Sequence, residues 1–587
     1  MTFFAGENHN HWQVATCAFI MSDRRHPIYV QRAAKVASML RLLKLMLIAA
    51  FMLMNVEPVF SQTKLAFRDA GAATGLREAL QGMRGHAAAW GDVNGDGLPD
   101  LYVGAFAEGD SKPNRFLLQR DGRFTPDDQP GLRIVARSSG SVFADFDNDG
   151  DLDLYVSNLG GGKEGYQATL NKLYRNDQGK LVDVTEGSGA APAELRGRTV
   201  SALDFDGDGL LDLLVADSIF YGSQKRSRLL LNKGGLKFAD VSEEIGLPAL
   251  PGLGSAVADF DLDGRPDFIL ASAHGGNRLF LNSAKRKLRE VSAASELFNR
   301  LWSSRGDDTT CGVCVGDVNR DGLPDVVMGH HNDRPWAVPT PVRLYLHRGV
   351  KDGEPTFEDV TEQAGLVPLP MKAPHLEIQD FDNDGWPDIY ISIVKFANGQ
   401  PHPIIFQNQG VTGGVSKFRC DALSVNDFPT ADDLAVRRNG ALFDKINREG
   451  KIMYTASAPS GDYDRDGRVD LFLSSWWIES PAMLLHNETA GGHWLDVVVE
   501  ASGKVNRNGV GSLVKVYKAG KLGDAKELLS SGEIAVGYGY SSGQEAVAHV
   551  GLGKVDRVDV EITLPHNSGK LVERDVKANQ RLVVRTK

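Results

Sequence analysis

Cysteine is scarce in this chain of 587 residues, which holds four. Cys17 falls in a leader segment, and the three that remain, Cys311, Cys314 and Cys420, cannot all pair with one another, so a disulfide-dense scaffold is excluded. Cys311-Gly312-Val313-Cys314 has the spacing of a redox pair or of half a metal site, but a second CxxC is missing; small packing residues or one structural bridge are the simpler readings. Long apolar runs are missing too. Residues 45–54 come nearest to a membrane span, and the dozen or so residues between Lys44 and Glu57 fall short of the roughly 20 that a crossing helix needs. Gly160-Gly161-Gly162 lacks the Lys-Ser/Thr of a phosphate loop, so turns account for it. No nucleophile with an adjacent base can be assembled from the motifs present.

What the chain has instead is one nine-residue pattern, Asp-x-(Asp/Asn)-x-Asp-Gly-x-x-Asp, seven times over. The acidic positions 1, 3, 5 and 9 are Asp92, Asn94, Asp96 and Asp100; Asp145, Asp147, Asp149 and Asp153; Asp204, Asp206, Asp208 and Asp212; and Asp259, Asp261, Asp263 and Asp267. They continue as Asp317, Asn319, Asp321 and Asp325; Asp380, Asp382, Asp384 and Asp388; and Asp462, Asp464, Asp466 and Asp470. Oxygen atoms at positions 1, 3 and 5 of a tight loop converge on one point, Gly at 6 permits the sharp turn, and the Asp at 9 closes the cage. The backbone carbonyl at position 7 adds a further donor, from Leu98, Asp151, Leu210, Arg265, Leu323, Trp386 and Arg468 in turn. An all-oxygen set suits a hard cation of flexible coordination, calcium before magnesium, at about seven sites. No imidazole or thiolate sits within the pattern, which argues against zinc, copper or iron.

The formal charge of −11 belongs to these loops: their side chains carry 26 negative charges, leaving +15 elsewhere. The acidity is local, so neither nucleic-acid binding nor a diffuse acidic tail is called for. With 42% hydrophobic and 24% charged residues and 64 Gly, the remainder is an ordinary globular, turn-rich composition.

The flanks of the loops read as strands. Ser141-Val142-Phe143-Ala144 precedes one loop and Leu152-Asp153-Leu154-Tyr155-Val156 follows it; Phe268-Ile269-Leu270, Ile389-Tyr390-Ile391 and Leu471-Phe472-Leu473 follow others. These β-branched or alternating runs are too short for helices, and an EF-hand would close at position 12 between helices. A second phrase recurs between loops, an Asn-x-Leu-like strand and then an acid and a Gly-Leu turn: Asn171-Lys172-Leu173-Tyr174 with Leu181-Val182-Asp183-Val184, or Asn277-Arg278-Leu279-Phe280. Each unit then holds about four strands, and loop spacings of 53 to 82 residues fit a propeller blade better than a solenoid turn. The expectation is an all-β fold: a seven-bladed β-propeller with a calcium loop in every blade. Phe67-Arg68-Asp69 carries the closing phrase ahead of the first loop, so the N-terminal strand is expected to complete the last blade. The wide final spacing implies an insertion over residues 396–460, in which Ile404-Ile405-Phe406 packs.

Arg41 and Lys44 ahead of the apolar run, with Val59-Phe60-Ser61 before a cut at Gln62, read as a secretory signal, with Met21 or Met39 as alternative starts. The expected organisation is a signal region over 1–61 followed by a propeller over 62–490. After signal removal no integral membrane segment is expected, and the location is secreted or periplasmic.

Over residues 62–490 the loops resemble those of FG-GAP/VCBS repeats in integrin α-like propellers. Gly492-His493-Trp494-Leu495, Asn506-Arg507-Asn508-Gly509-Val510-Gly511, Gly537-Tyr538-Gly539-Tyr540 and His549-Val550-Gly551-Leu552-Gly553 are similar to the ASPIC/UnbV domain of the cartilage acidic protein family. Asn94 and Asn319 depart from Asp, and the Gly-Tyr-Gly-Tyr-Ser turn departs from the more frequent Gly-Ser-Gly-Tyr. The resemblance implies that the propeller is followed by a small β-rich C-terminal domain over 491–587, and that the chain is a secreted calcium-binding recognition or cell-adhesion protein with no catalytic residues, whose partner is an extracellular protein or a surface polysaccharide. The competing expectation is a calcium-dependent carbohydrate-active enzyme, such as a polysaccharide lyase, for which His330, His331, His375, His86 and the pair Trp476-Trp477 are the candidates.

Overall fold

The computed structural model describes residues 63–106, 111–160, 169–219, 226–272, 276–302, 309–330, 340–369, 374–425, 455–480 and 482–586, and Thr63–Lys587 form one compact unit. The expected signal region lies outside the described residues. Among the described residues, seven four-stranded antiparallel meanders follow one another. Sheet 1 runs Gly85–Gly91, Asp100–Ala105, Arg115–Arg120, Arg123–Pro126, and sheet 2 runs Ser138–Ala144, Asp153–Asn158, Lys172–Asp177, Lys180–Asp183. Sheet 3 is Gly197–Leu203, Asp212–Asp217, Arg228–Asn232, Phe238–Asp240, and sheet 4 is Gly254–Ala258, Asp267–Ala271, Arg278–Asn282, Leu288–Glu290. Sheet 5 is Thr310–Gly316, Asp325–His330, Arg343–Lys351, Glu354–Asp359; sheet 6 is Leu376–Gln379, Asp388–Ala397, Gln400–Thr412, Val415–Arg419. Sheet 7 takes Ser460–Gly461, Asp470–Leu473 and Met483–Asn487, and its outer strand is Phe67–Asp69 from the other end of the chain, with Phe67 opposite Asn487.

Both faces of these strands are buried, because each sheet packs on the next. Phe143, Leu154 and Tyr174 of sheet 2 meet Tyr102 and Phe116 of sheet 1; Phe268 and Phe280 of sheet 4 meet Leu214 and Leu229 of sheet 3. The series ends with Phe472 and Leu484 of sheet 7 against Trp90, Leu101 and Leu117 of sheet 1. That two-sided packing explains why the second strands are continuous apolar runs rather than alternating ones.

Close approach of the first strands imposes glycine. A β-carbon on Gly254 would lie 2.0 Å from the Cys311 carbonyl oxygen, and one on Gly312 would lie 2.2 Å from that of Pro374. This accounts for the CxxC motif. Its cysteines fall in different clusters, Cys314 in the core between sheets 5 and 6 and Cys311 beside Leu253 and Tyr540, and among the described residues no disulfide joins Cys311, Cys314 or Cys420. Gly254→Val is expected to cost about 3 kcal/mol, read as a lowered denaturant midpoint, because backbone and not a movable side chain blocks the added methyls.

The expected insertion over 396–460 needs correction. Residues up to Arg419 belong to sheet 6, whose middle strands are long, so that Ala397 pairs with Gln400 and Thr412 with Val415; Ile404, Ile405 and Phe406 sit in a regular core strand. Residues 426–454 lie outside the described residues. The Gly-Leu turns are also more than turns: Ser242–Ile245 and Thr361–Ala364 are single helical turns closed by left-handed Gly246 and Gly365.

The C-terminal part has its own core of Leu495, Val497, Val514, Val516, Val560 and Ile562. Its strands form two sheets. His493–Glu500 lies between Ala548–Gly553 and Gln580–Arg585, and Leu513–Lys518 lies beside Leu528–Glu533 and Arg557–Thr563, with Lys570–Lys577 at the edge.

Candidate metal centres

Every one of the seven loops closes in the same register. The residue before position 1 pairs with the Asp at position 9: Gly91 with Asp100, Ala144 with Asp153, Leu203 with Asp212, Ala258 with Asp267, Gly316 with Asp325, Gln379 with Asp388, Gly461 with Asp470. The nine-residue pattern is therefore a hairpin connection between the first and second strands. The carboxylates at positions 1, 5 and 9 share the work of folding it. In loop 2, Asp145 accepts from the backbone N–H of Asp149 and of Gly150, while Asp149 accepts from Asp151. The position-9 carboxylate ties three strands: Asp153 accepts from the Phe146 N–H on one oxygen and the Asn176 N–H on the other. The same pair of bonds holds Asp100, Asp212, Asp267, Asp325, Asp388 and Asp470.

The residue that donates to position 9 does a second job that sequence reasoning missed. Asn176 Nδ2 donates 2.8 Å to the Val93 carbonyl in the preceding loop. Asn232, Asn282, Asn408 and Asn487 reach back in the same way to Phe146, Phe205, Val318 and Phe381. His347 stands 3.0 Å from the Phe260 carbonyl, and Gln119 reaches Tyr463 O in loop 7. Each sheet is thus stapled to the loop before it. The signal was present as an Asn repeating at the end of the third strand in five of the seven units. A third link joins neighbouring loops through position 4. Asn148 donates to Gly209 O, Asn383 to Gly467 O, Arg465 to Gly97 O, and Arg320 to Gly385 O.

Position 3 is different. Among these side chains Asp147 Oδ1, Asp206 Oδ1 and Asp261 Oδ1 are buried with no hydrogen-bond partner, a costly state for an anion unless a cation completes it. In loops 2, 3 and 6 the side chains at positions 1, 3 and 9 bring ligand atoms within 4.8 Å of one another, and in loop 4 those at 1, 3 and 5 do so. Burial, reinforced by the neighbouring carboxylates and opposed by the backbone bonds, pushes Asp153 and Asp462 up to about 8 and Asp100 up to about 7. Asp145, Asp204 and Asp259 rise to about 6, and Asp212, Asp267, Asp325, Asp380 and Asp388 stand well above the ordinary carboxylate range. A group of buried carboxylates held this close without a proton or an ion is self-repelling; the donor set fits a hard divalent cation.

The C-terminal part docks on these loops. Asn508 Oδ1 accepts from the Asp145 N–H, Glu533 accepts from the Asp259 N–H, and His566 Nε2 lies 2.8 Å from Asp204 O. Asn567 Nδ2 donates to Asp263 O, and His549 Nε2 lies 2.8 Å from Asn383 Oδ1. Arg465 makes a bidentate pair with Glu545, which that guanidinium holds ionised although burial opposes it. Asp317 and Asp321 of loop 5 line a cavity of about 550 Å³ left between the sheets and the C-terminal strands.

From the same part, the segment around Gly537–Gly543 enters among the first strands. Ser542 and Gly543 pair with Ala88 and Ala89; Gly539 exchanges both backbone bonds with Val313; Val536 O accepts from Ala202 N. Tyr540 N donates to His375 Nδ1, and Arg198 Nη1 donates to Tyr540 Oη and approaches His86 Nε2 at 2.9 Å. Burial would raise the Glu377 carboxyl, but hydrogen bonds from His375, Ser460 and Gln544 hold it below its ordinary value. The residues weighed for catalysis are placed accordingly: His86 and His375 are buried and bonded in this cluster, His330 is buried against Pro341 O, and His331 lies outside the described residues. Trp477 is buried, and Trp476 packs with its ring tilted against those of His86 and Phe106.

Residues 92–156 and 259–328 match the FG-GAP-like repeat, and residues 502–587 match the ASPIC and UnbV family. The first spans loops 1 and 2 and loops 4 and 5; loops 3, 6 and 7 share their register. Cartilage acidic protein 1 of Homo sapiens is 26% identical over 458 residues, covering 75% of this chain and 61% of that protein, and the Mus musculus protein is 26% identical over 459 residues, with 75% and 63% covered. Integrin alpha pat-2 of Caenorhabditis elegans is 26% identical over 231 residues, 35% of this chain and 18% of that one. The chain spans about three fifths of the length of the cartilage acidic proteins it matches.

Proposed function

We propose that this chain, in which FG-GAP-like repeats precede an ASPIC and UnbV domain, is a secreted, calcium-loaded recognition protein of the adhesion type. Its repeats form a closed seven-bladed propeller, each loop holds a cation, and the domain over about 491–587 caps the loop face. Closure is supported by the strand Phe67–Asp69 in sheet 7, by the packing of sheet 7 on sheet 1, and by the Gln119 bond to Tyr463 O. The observation that carries the cation reading is the buried, unpartnered oxygen at position 3 of three loops. Positions 1, 3 and 5, the carbonyl at 7 and the carboxylate at 9 would supply the ligands, and the ion would cancel the repulsion among them.

Because C-terminal side chains already occupy the loops, the partner engages a different surface from the metal face. Calcium then acts on recognition through the shape of the ring and not as a bridge to the partner. The test is retention of the chain from Gln62 onward on a panel of matrix proteins and surface polysaccharides, in calcium and after chelation, reading bound protein and target chain length. Calcium-dependent retention of an intact target is the expected outcome. Shortened polysaccharide would replace this reading with an enzyme.

A further inference from the structure

The seventh loop differs from the other six in one ligand-forming position, and the difference lies on the third strand and not in the nine-residue pattern. The residue just before each stapling side chain is Leu118, Arg175, Leu231, Leu281, Leu346, Gln407 or His486. Side chains at this position reach the loop: in sheet 6, Gln407 Nε2 donates 2.9 Å to Asp382 Oδ2, the position-3 carboxylate. In sheet 7 the side chain that arrives is an imidazole. His486 Nδ1 lies 3.5 Å from Asp464 Oδ2 and 3.2 Å from Asp470 Oδ1, and the three groups bring ligand atoms within 4.8 Å of one another.

His486 is 9% exposed, and its Nδ1 makes no hydrogen bond despite those short approaches. The edge of its ring is set by Tyr463 of the same loop, at 5.8 Å between centroids and 79° between planes. A nitrogen and two oxygens that crowd together without hydrogen-bond alignment are arranged as ligands around one point. For bonds of about 2.0–2.1 Å, neighbouring ligands of a tetrahedral ion stand about 3.3 Å apart, and the two observed separations bracket that value. Asp466 at position 5 is paired with Arg468, as Asp263 is with Arg265 in loop 4, so the imidazole is what sets loop 7 apart. Calcium prefers six to eight oxygens, whereas a mixed imidazole and carboxylate set suits a first-row transition ion.

We infer that the seventh loop is a transition-metal site, selective for an ion of the zinc class over calcium, held by Asp464, Asp470 and His486. This rests on the reading that the loops hold cations, and it changes the ion at one of them.

The test uses the chain from Gln62 onward, stripped with chelator and then dialysed to equilibrium against millimolar calcium with micromolar zinc chloride, so that retained metal is read as the excess over the dialysis buffer. Elemental analysis is expected to find one tightly held zinc per chain beside the calcium. His486→Leu, which places at this position the residue that four sister strands carry, is expected to lose that zinc and keep the calcium of the other loops. His486→Gln, for which Gln407 in sheet 6 is the precedent, should do the same and covers the case in which the leucine variant does not fold. Cobalt(II) should give the wild type a visible absorption band that both variants lack. Zinc held equally by wild type and variants would overturn the inference, and so would calcium in every loop with no zinc in the wild type, which would make His486 an internal cation for its own loop. Neither ion retained in any protein would sink the cation reading itself and the inference with it.

Discussion

Chelation at pH 7.5 is expected to lower the melting temperature of this protein by about 10 °C. Extracellular calcium modules bind at roughly 0.1–1 mM, so free calcium about tenfold above that stabilises by ~1.4 kcal/mol per loop and about 10 kcal/mol over seven loops if the sites add. Divided by the unfolding entropy of a chain of this size, that is about 10 °C. The physical cause is local. Without an ion, loop 2 keeps Asp145, Asp147 and Asp153 clustered, held by backbone N–H groups, the Asn508 contact and Arg507, whose Nε stands 4.0 Å from Asp145 Oδ2. A melting curve that ignores chelator would refute the structural role of the ions.

The pH dependence gives the same experiment a sign. In the ion-free protein Asp153 and Asp462 hold their protons to about 8 and Asp100 to about 7, above an ordinary value of 3.8. Between pH 4 and 8 the native state therefore binds more protons than the unfolded chain, and stability falls as pH rises. His486, raised mainly by its contact with Asp470, acts in the same direction above its unfolded value. Carboxylates held below their ordinary values, such as Glu377, Asp496 and Glu545, contribute stability that is lost only below that window. The calcium-loaded protein must have its loop carboxylates ionised, so its stability is present at high pH and is lost as protons compete for the oxygens. Chelated protein should melt higher at pH 5 than at pH 8, and loaded protein the reverse. Parallel curves would show that the loop carboxylates are not the groups that govern stability in this range.

The strand-loop-strand form of the loops was legible because their chemistry is local: Gly at position 6 and an acid at 9 can be read in nine residues, and the flanking runs are too short for helices. The staples were half legible. Asn176 or Asn487 recurs visibly, but its target carbonyl belongs to the preceding unit, and no local pattern tells how one blade touches another. Residues 396–419 pass for an insertion when spacing is counted loop to loop, because a long hairpin from Asp388–Ala397 to Gln400–Thr412 lengthens a unit without leaving the sheet. His486 is hidden for a related reason. It lies 16 residues past Asp470, on a strand whose register alone brings it to the loop. The docking of the C-terminal segment on the loops depends on contacts 80 to 363 residues apart and had no sequence signature beyond a glycine-rich turn.

That turn should be the most sensitive point in the chain outside the loops. Gly537 has φ of 79°, and a β-carbon there would lie 2.1 Å from the Val200 carbonyl oxygen; Gly537→Val cannot be seated without expelling the segment it leads. Expulsion strips partners from buried groups, namely the N–H groups of Ala88, Ala202 and Val313, and His375 Nδ1. Each orphaned group costs about 1–3 kcal/mol, so a loss of at least ~4 kcal/mol is expected if water does not follow into the gap. Hydrogen exchange would locate it, with faster exchange at Ala202 and Val313 and little change at Val516 and Val560 in the separate C-terminal core. Tyr540→Phe keeps the ring in place and removes only the hydroxyl that Arg198 donates to, for a loss of about 1–2 kcal/mol. Should Gly537→Val exchange like wild type at Ala202 and Val313, the turn would be a passenger, and the joining of the C-terminal part to the seven sheets would rest on its contacts with the loops alone.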